Sequence, residues 1–187
     1  MKNILITGAS GQLAMEIHQE LNQSVTNNYI FTTRNELDVT NIDKVNAFFK
    51  KHKIELVINC AAYTNVNGSE IDKETANAVN HLAVKNIANV CTDHNSACIH
   101  LSTDYVFAGD KNTPYTETDA TSPLGAYGQT KLLGESALQH SDIDFLILRT
   151  SWLYSAFGNN FVKNILRISK ERKELKVVFD QVSTPTY

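Results

Sequence analysis

Tyr127 and Lys131 stand four residues apart in "TSPLGAYGQTKLLGE" (121–135), a spacing that puts both side chains on one face of a helix. A phenol with an ordinary pKa of about 10 is a poor acid–base group at neutral pH. An ammonium one helical turn away favours the phenolate, so Lys131 is expected to lower the pKa of Tyr127. A hydroxyl from Thr103, in "LSTDYVF", can bond a substrate oxygen beside them. Together these groups could move a proton to a carbonyl oxygen. Gly125 and Gly128 are expected to keep the helix start narrow, so that a flat ligand can lie against it. Ser122 and Pro123 are expected to serve as N-cap and first helical residue. Taken alone, a Tyr-x-x-x-Lys pair on a helix is more often a surface pair; its meaning depends on what lies nearby.

A second feature supplies that context. "TGASGQLAMEI" places Gly8, Gly11 and Ala14 in a G-x-x-G-x-x-A spacing directly after an apolar run. This is a variant of the dinucleotide fingerprint. The first glycine allows the tight turn, and the second lets backbone N–H groups approach a pyrophosphate at a helix N-terminus. Where a NAD-preferring site has an acidic residue after its second strand, this chain has "TTRNELDV", with Arg34 first and the acids Glu36 and Asp38 only after it. Arg34 either meets the 2′-phosphate of NADPH or stands in solvent as a loop residue. Ala61 and Ala62 in "NCAAYT" are small enough for backbone to pass close to a flat ligand, or simply pack.

The elements that must position these groups alternate. Strands are expected at 3–8, 29–34, 55–61, 97–103, 144–150 and 175–180, and helices at about 11–22, 40–53, 72–94, 124–140 and 158–172. Near-continuous apolar strands separated by helices imply an α/β fold, a doubly wound parallel sheet of the Rossmann type, over residues 1–187 as one NAD(P)-binding domain. Ligands of such sheets bind outside the carboxyl ends of the strands. That rule gathers the glycine turn, Ser102 and Thr103, and Trp152 in "RTSWLYS" at one edge. After the sixth expected strand the chain ends in "DQVSTPTY", with nothing to cover that strand; a truncated C-terminal part is expected.

Composition is that of an ordinary soluble globular protein. Hydrophobic residues make up 42% and charged residues 20% of 187 residues, with a net charge of -3, which gives no reason to expect nucleic acid. The one basic run, "KERKELK" at 170–176, reads as a solvated helix end. No apolar stretch approaches membrane-spanning length, and the N-terminus reads as a first strand rather than a signal peptide. Cys60, Cys91 and Cys98 have no C-x-x-C pairing and read as reduced thiols of a cytoplasmic protein. No His/Cys spacing suits zinc.

The motifs "GASGQL", "ELDVTN", "NCAAYTNV", "STDYVFAG", "SPLGAYGQTKLLGE", "LRTSWLY", "GNNFVKNIL" and "DQVSTPT" run the length of the chain. On them it resembles the extended, sugar-nucleotide type of short-chain dehydrogenases/reductases, and within these the dTDP-4-dehydrorhamnose reductase family. The resemblance implies NADPH or NADH held by Gly8, Gly11, Gln12, Leu13, Arg34, Asp38, Val39, Ala62, Tyr63 and Thr64, together with Tyr127 and Lys131. Arg34 tilts the expectation toward NADPH. It also implies a dTDP-sugar held by Thr103, Asp104 and Trp152, with hydride delivery to the C4 carbonyl of dTDP-4-dehydro-6-deoxy-L-mannose. Thr103, Tyr127 and Lys131 would be the catalytic set, and a homodimer is a further expectation. Some members hold magnesium at a dimer contact through glutamates, one matching Glu16; no metal is expected here.

The chain departs from the family at Ala14, at Asn67–Ser69 and at Ser183, which leaves the 65–70 loop and the final turn open. Other readings stay in view. A dehydratase would follow the threonine with Asp-Glu, whereas Asp104 precedes Tyr105. An epimerase would favour an acid where Arg34 stands. A non-catalytic NADP-binding regulatory subunit would not need the triad.

Overall fold

Five apolar runs pair into one parallel sheet in the computed structural model, which describes residues 1–21, 26–178 and 180–187. The strands are β1 (Asn3–Thr7), β2 (Asn28–Thr32), β3 (Leu56–Asn59), β4 (Ala97–Thr103) and β5 (Phe145–Thr150). Their order across the sheet is β2-β1-β3-β4-β5, every pairing parallel. Parallel neighbours need crossover connections, and helices fill them. These are α1 (Gln12–Leu21), α2 (Ile42–His52), α3 (Val66–Ile71), α4 (Lys73–Asn77), α5 (Ala83–His94), α6 (Ala126–Gln139) and α7 (Phe161–Ile168). A π-helical segment, Ala78–Leu82, joins α4 to α5, and a 3₁₀ turn, Asp104–Val106, follows β4.

Alternation along the strands divides the core. Leu5, Val57 and Cys98 face Val45 and Phe49 of α2, Val84, Ile87 and Cys91 of α5, and Leu138 of α6. Ile4 and Ile6 face the other way, against Ala14 and Ile17 of α1. Helices therefore cover both faces, as expected of a doubly wound sheet. The chain leaves β1 toward β2 on one side and reaches β3 on the other, so the switch point falls between β1 and β3. There the connecting loops diverge and a crevice opens.

Three expectations need correction. The stretch 175–180 forms no strand at 175–178 or 180; Phe179 lies outside the described residues, as does Asn22 at the end of the first expected helix. A further parallel strand needs both its faces covered. Yet α7 buries no residue, and Val177 and Val178 stay exposed. The last expected helix shrinks to Phe161–Ile168, capped by Asn160, whose Oδ1 accepts from the Lys163 N–H at 3.0 Å. Residues 66–71, expected as loop, form α3 because Asn65 Oδ1 caps the Gly68 N–H at 2.9 Å.

Cys91 and Cys98 are buried, Cys60 is half-buried, and all three thiols are free. Burial pushes the Cys60 and Cys91 thiols up to about 12. Among the described residues no helix is long and apolar enough to cross a membrane.

Candidate active site

At the carboxyl end of β1 the chain turns through Gly8 at φ 67°, a left-handed conformation that suits glycine. A Cβ there would also lie 2.9 Å from the backbone of Cys60 and Ala61. Gly8 is thus what lets the turn close against the end of β3. The Gly11 N–H donates to the Gly8 carbonyl at 2.8 Å, and α1 begins one residue later. A Cβ on Gly11 would meet only that carbonyl, at 3.1 Å. Gly11 itself is exposed, and the leading N–H groups of α1 lack helical acceptors. A pyrophosphate fits such a helix start.

The side chain of Gln12 is already engaged. Its Nε2 donates to the Leu153 carbonyl at 3.1 Å, and its Oε1 accepts from Asn160 Nδ2 at 3.4 Å. Arg34 is exposed past β2. Asp38 accepts from the Thr40 hydroxyl at 2.7 Å; that bond, with help from the Arg34 and Lys44 charges, holds its carboxyl below the ordinary value. Val39 packs in the core, and its carbonyl accepts from Asn86 Nδ2 at 3.3 Å. Past β3, the Tyr63 backbone is gripped at both polar atoms by one buried amide. Its N–H donates to Asn80 Oδ1 at 2.8 Å and its carbonyl accepts from Asn80 Nδ2 at 3.0 Å. Ala62 and Tyr63 are half-buried and Thr64 is exposed beside the same loop.

Helix α6 carries Tyr127 and Lys131. It starts at Ala126, with Gly125 as N-cap and no side-chain cap from that residue. This overturns the expected roles of Ser122 and Pro123. The carboxylate of Glu70, on α3, reaches across and accepts the Ala126 N–H at 2.6 Å. An acid from another element does the capping and places negative charge at the positive end of the helix. The two glycines do not clear space for a ligand. A Cβ on Gly125 would meet Glu70 Oε1 at 2.9 Å, and one on Gly128 would overlap the Tyr105 carbonyl oxygen. They let the helix start sit directly on α3 and on the 3₁₀ turn after β4.

That turn brings Thr103 to Tyr127. The Thr103 hydroxyl lies beside the phenol, accepts the Tyr105 N–H at 3.3 Å and donates to Asp104 Oδ1 at 3.2 Å. The Tyr105 ring meets the Tyr127 ring edge-on at 5.6 Å. Burial pushes the Tyr127 phenol above its ordinary value; the neighbouring Thr103 hydroxyl pulls it down, and Asp104 and Tyr105 push it up. The expected lowering by Lys131 does not occur. The lysine directs its nitrogen elsewhere, to the Leu101 carbonyl at 2.5 Å and to His100 Nε2 at 3.4 Å. It is 2% exposed, and burial lowers its pKa to about 8 against the pull of Glu135.

Beneath α6 the sheet presents two polar rows. Thr7, Asn59 and His100 are register partners across β1, β3 and β4, and Lys131 closes the row. Ser102 and Arg149 are partners across β4 and β5, and Glu135 closes that one. Glu135 is fully buried. It takes the Arg149 fork at 3.0 and 2.6 Å and a hydrogen bond from the Ser102 hydroxyl. A charge so placed needs this full set of partners.

Trp152, two residues past β5, holds φ 47°, a strained conformation for a bulky residue unless neighbours impose it. The final residues do so. Thr186 donates its N–H to the Trp152 carbonyl at 3.4 Å and accepts from the Tyr154 N–H at 2.9 Å. Ser183 Oγ donates to Asp104 Oδ2 at 3.3 Å. Asp104 and Trp152 therefore share one sheet end with Thr103 and Tyr127.

This arrangement can be set against known proteins. The family profile described as RmlD substrate binding domain matches residues 1–187. The chain belongs to that family. A dTDP-4-dehydrorhamnose reductase of Aggregatibacter actinomycetemcomitans is 43% identical over 187 residues, covering 100% of this chain and 64% of the relative. The Escherichia coli enzyme of the same name is 41% identical, covering 98% and 62%. Among solved structures, a dTDP-4-dehydrorhamnose reductase of Bacillus anthracis in complex with NADP superposes with a TM-score of 0.95 at 38% identity. It covers 100% of this chain and 66% of that one. The chain thus spans a little under two thirds of the length of these curated relatives.

Within the RmlD substrate binding domain family frame, four polar residues went unread in the sequence: Asn59, Glu70, Asn80 and Glu135. His100 is a fifth. His100 carried a signal, since it falls at the inward-facing parity of "ACIHLST" with Cys98 and Ser102. Glu135 had one too, standing four residues past Lys131 on the same helix face. Glu70 and Asn80 had none, because their partners lie far along the chain.

Proposed function

We propose that this chain forms the NAD(P)H-binding and catalytic part of a reductase acting on the C4 carbonyl of dTDP-4-dehydro-6-deoxy-L-mannose, giving dTDP-L-rhamnose. The observation that carries the reading is the placement of Tyr127 beside Thr103 and against Tyr105 at the carboxyl end of β4, with Lys131 one turn deeper. The matching names of the relatives support it. A bound nicotinamide dinucleotide would supply the hydride. Its pyrophosphate would lie on the first turn of α1 at Gly11, Gln12 and Leu13, and its adenosine end beside Arg34, Asp38 and Val39. Ala62, Tyr63 and Thr64 would flank its middle.

The chain's own groups manage the proton and the charge. Burial keeps the Tyr127 phenol protonated at neutral pH, the state a general acid needs. Tyr127 would donate that proton to the carbonyl oxygen as it becomes an alkoxide. Thr103 would hold the same oxygen, and such donors count most where charge develops. Lys131 would position the ribose. Asp104 and Trp152 would contact the sugar nucleotide. The Tyr105 ring packs edge-on against the Tyr127 ring.

Replacing Tyr127 by Phe in the full-length protein should lower turnover at least ~10²-fold, as for loss of a general acid, with the NADPH dissociation constant nearly unchanged. Turnover near wild type would remove Tyr127 from this role. Arg34 is read as the partner of the 2′-phosphate of NADPH. Arg34→Ala should therefore weaken NADPH but not NADH; equal affinities before and after would overturn that assignment.

A further inference from the structure

The row Thr7–Asn59–His100–Lys131 is not needed to explain the proton donor, yet it is buried throughout. Its members are 1%, 2%, 0% and 2% exposed. The Ala61 N–H donates to Thr7 Oγ1 at 3.2 Å, and Thr7 Oγ1 donates to Asn59 Oδ1 at 2.7 Å. Asn59 Nδ2 lies 3.1 Å from His100 Nδ1, and His100 Nε2 lies 3.4 Å from Lys131 Nζ. The string therefore links the glycine turn, the loop after β3 and α6. These are three of the elements assigned above to the cofactor, and the inference deepens that reading and rests on it. We propose that His100 is a positioning residue for Lys131: anchored through Asn59 and Thr7, its imidazole holds the lysine nitrogen in place and reverses its own hydrogen-bond polarity as that nitrogen gains or loses a proton.

The reasoning is a count of donors and acceptors. A neutral imidazole has one N–H and one lone pair. If Nζ is an amine, His100 donates from Nε2 to Nζ, and Nδ1 accepts from Asn59 Nδ2. Asn59 Oδ1 then accepts the Thr7 hydroxyl, whose oxygen accepts the Ala61 N–H, and every member is satisfied. If Nζ is an ammonium, Nε2 must accept, so the imidazole proton sits on Nδ1. The Asn59 amide must then turn over to present Oδ1 to it, which removes the acceptor of the Thr7 hydroxyl proton. The string loses one proton between these states, from Nζ to the crevice, while the imidazole keeps one throughout. An unpaired buried donor is costly, so the string favours the uncharged nitrogen.

Other groups around the lysine fit this account. Glu135 faces it from its own helix, but Arg149 of β5 holds that carboxylate in a fork. Tyr127, with Asp104 and Tyr105 around it, stands one turn away. From β4 the Leu101 carbonyl accepts from Nζ at 2.5 Å, and His100 is the titratable group that approaches it, kept neutral by burial and by the lysine's own charge.

The test is a ¹⁵N magnetic-resonance titration of the protein between about pH 6 and 10, following the His100 ring nitrogens and Lys131 Nζ. The ring proton should move from Nδ1 to Nε2 at the pH where Nζ titrates. A ring that keeps one tautomer through that titration would overturn the proposal. Asn59→Asp supplies a second reading, because a carboxylate pins the proton on Nδ1. It should abolish the tautomer change and raise the Lys131 titration by about one pH unit or more; an unmoved titration also refutes the idea. NADPH titration of the same samples separates the two layers. An inverting ring without NADPH binding sinks the cofactor reading alone, and binding with an invariant ring sinks this inference alone.

Discussion

Gly128→Ala isolates the reason for a glycine one residue past Tyr127. The added Cβ would overlap the Tyr105 carbonyl oxygen and lie 3.0 Å from both Pro123 Cβ and the Tyr105 carbonyl carbon. That falls short of ordinary packing distance by about 1 Å. The obstacle is backbone, which cannot rotate aside as a side chain can. Overpacking of this kind costs ~1–3 kcal/mol, and a rigid carbonyl argues for the upper half. Alanine recovers ~1 kcal/mol of helix propensity over glycine, leaving a net loss of about 1–2 kcal/mol. For a chain of this size, that corresponds to a melting temperature lower by roughly 2–8 °C. Gly125→Ala is the control, because its Cβ would meet only the tip of Glu70, at 2.9 Å. Thermal unfolding by circular dichroism should rank wild type and Gly125→Ala above Gly128→Ala. Because the helix must shift, turnover of the full-length variant should fall ~10²-fold through misplacement of Tyr127. A Gly128→Ala protein as stable as wild type would refute the packing account.

Removal of the remote cap by Glu70→Ala should cost ~0.5–2 kcal/mol in urea unfolding. Glu70→Gln, which keeps an acceptor for the Ala126 N–H, should restore most of it; equal losses would discount the hydrogen bond. Lys131 predicts a pH dependence. Its folded pKa of about 8 lies below the unfolded value of ~10.4, so the unfolded chain binds more protons between them. Stability relative to Lys131→Met should therefore rise with pH from about 8 to ~10. A difference that is flat across that window would contradict the burial of the ammonium.

The α/β order and the residues at the strand ends were legible because each rests on local pattern. The glycine turn, the apolar strands and the Tyr127–Lys131 spacing all lie within single elements. What escaped depends on distance along the chain. The cap on α6 comes from Glu70, 56 residues before its partner, so Ser122 and Pro123 looked like the better start. The phenol's raised pKa escaped for another reason. Helical spacing says that Tyr127 and Lys131 are neighbours, but not that the lysine nitrogen is drawn down to Leu101 and His100. The sixth strand failed because a β-rich run becomes a strand only with a partner and two covered faces. Strand propensity is a matter of surroundings.

Strand β5 lies at the outer border of the sheet, with Phe145, Leu146 and Leu148 exposed by 40%, 51% and 41%. Its sequence, "FLILRT", holds a single charge and no proline, and such a border is an open template for another chain. Concentrated solutions of this polypeptide should accordingly stack strand on strand, growing β-rich oligomers from natively folded molecules before heat or denaturant unfolds any of them.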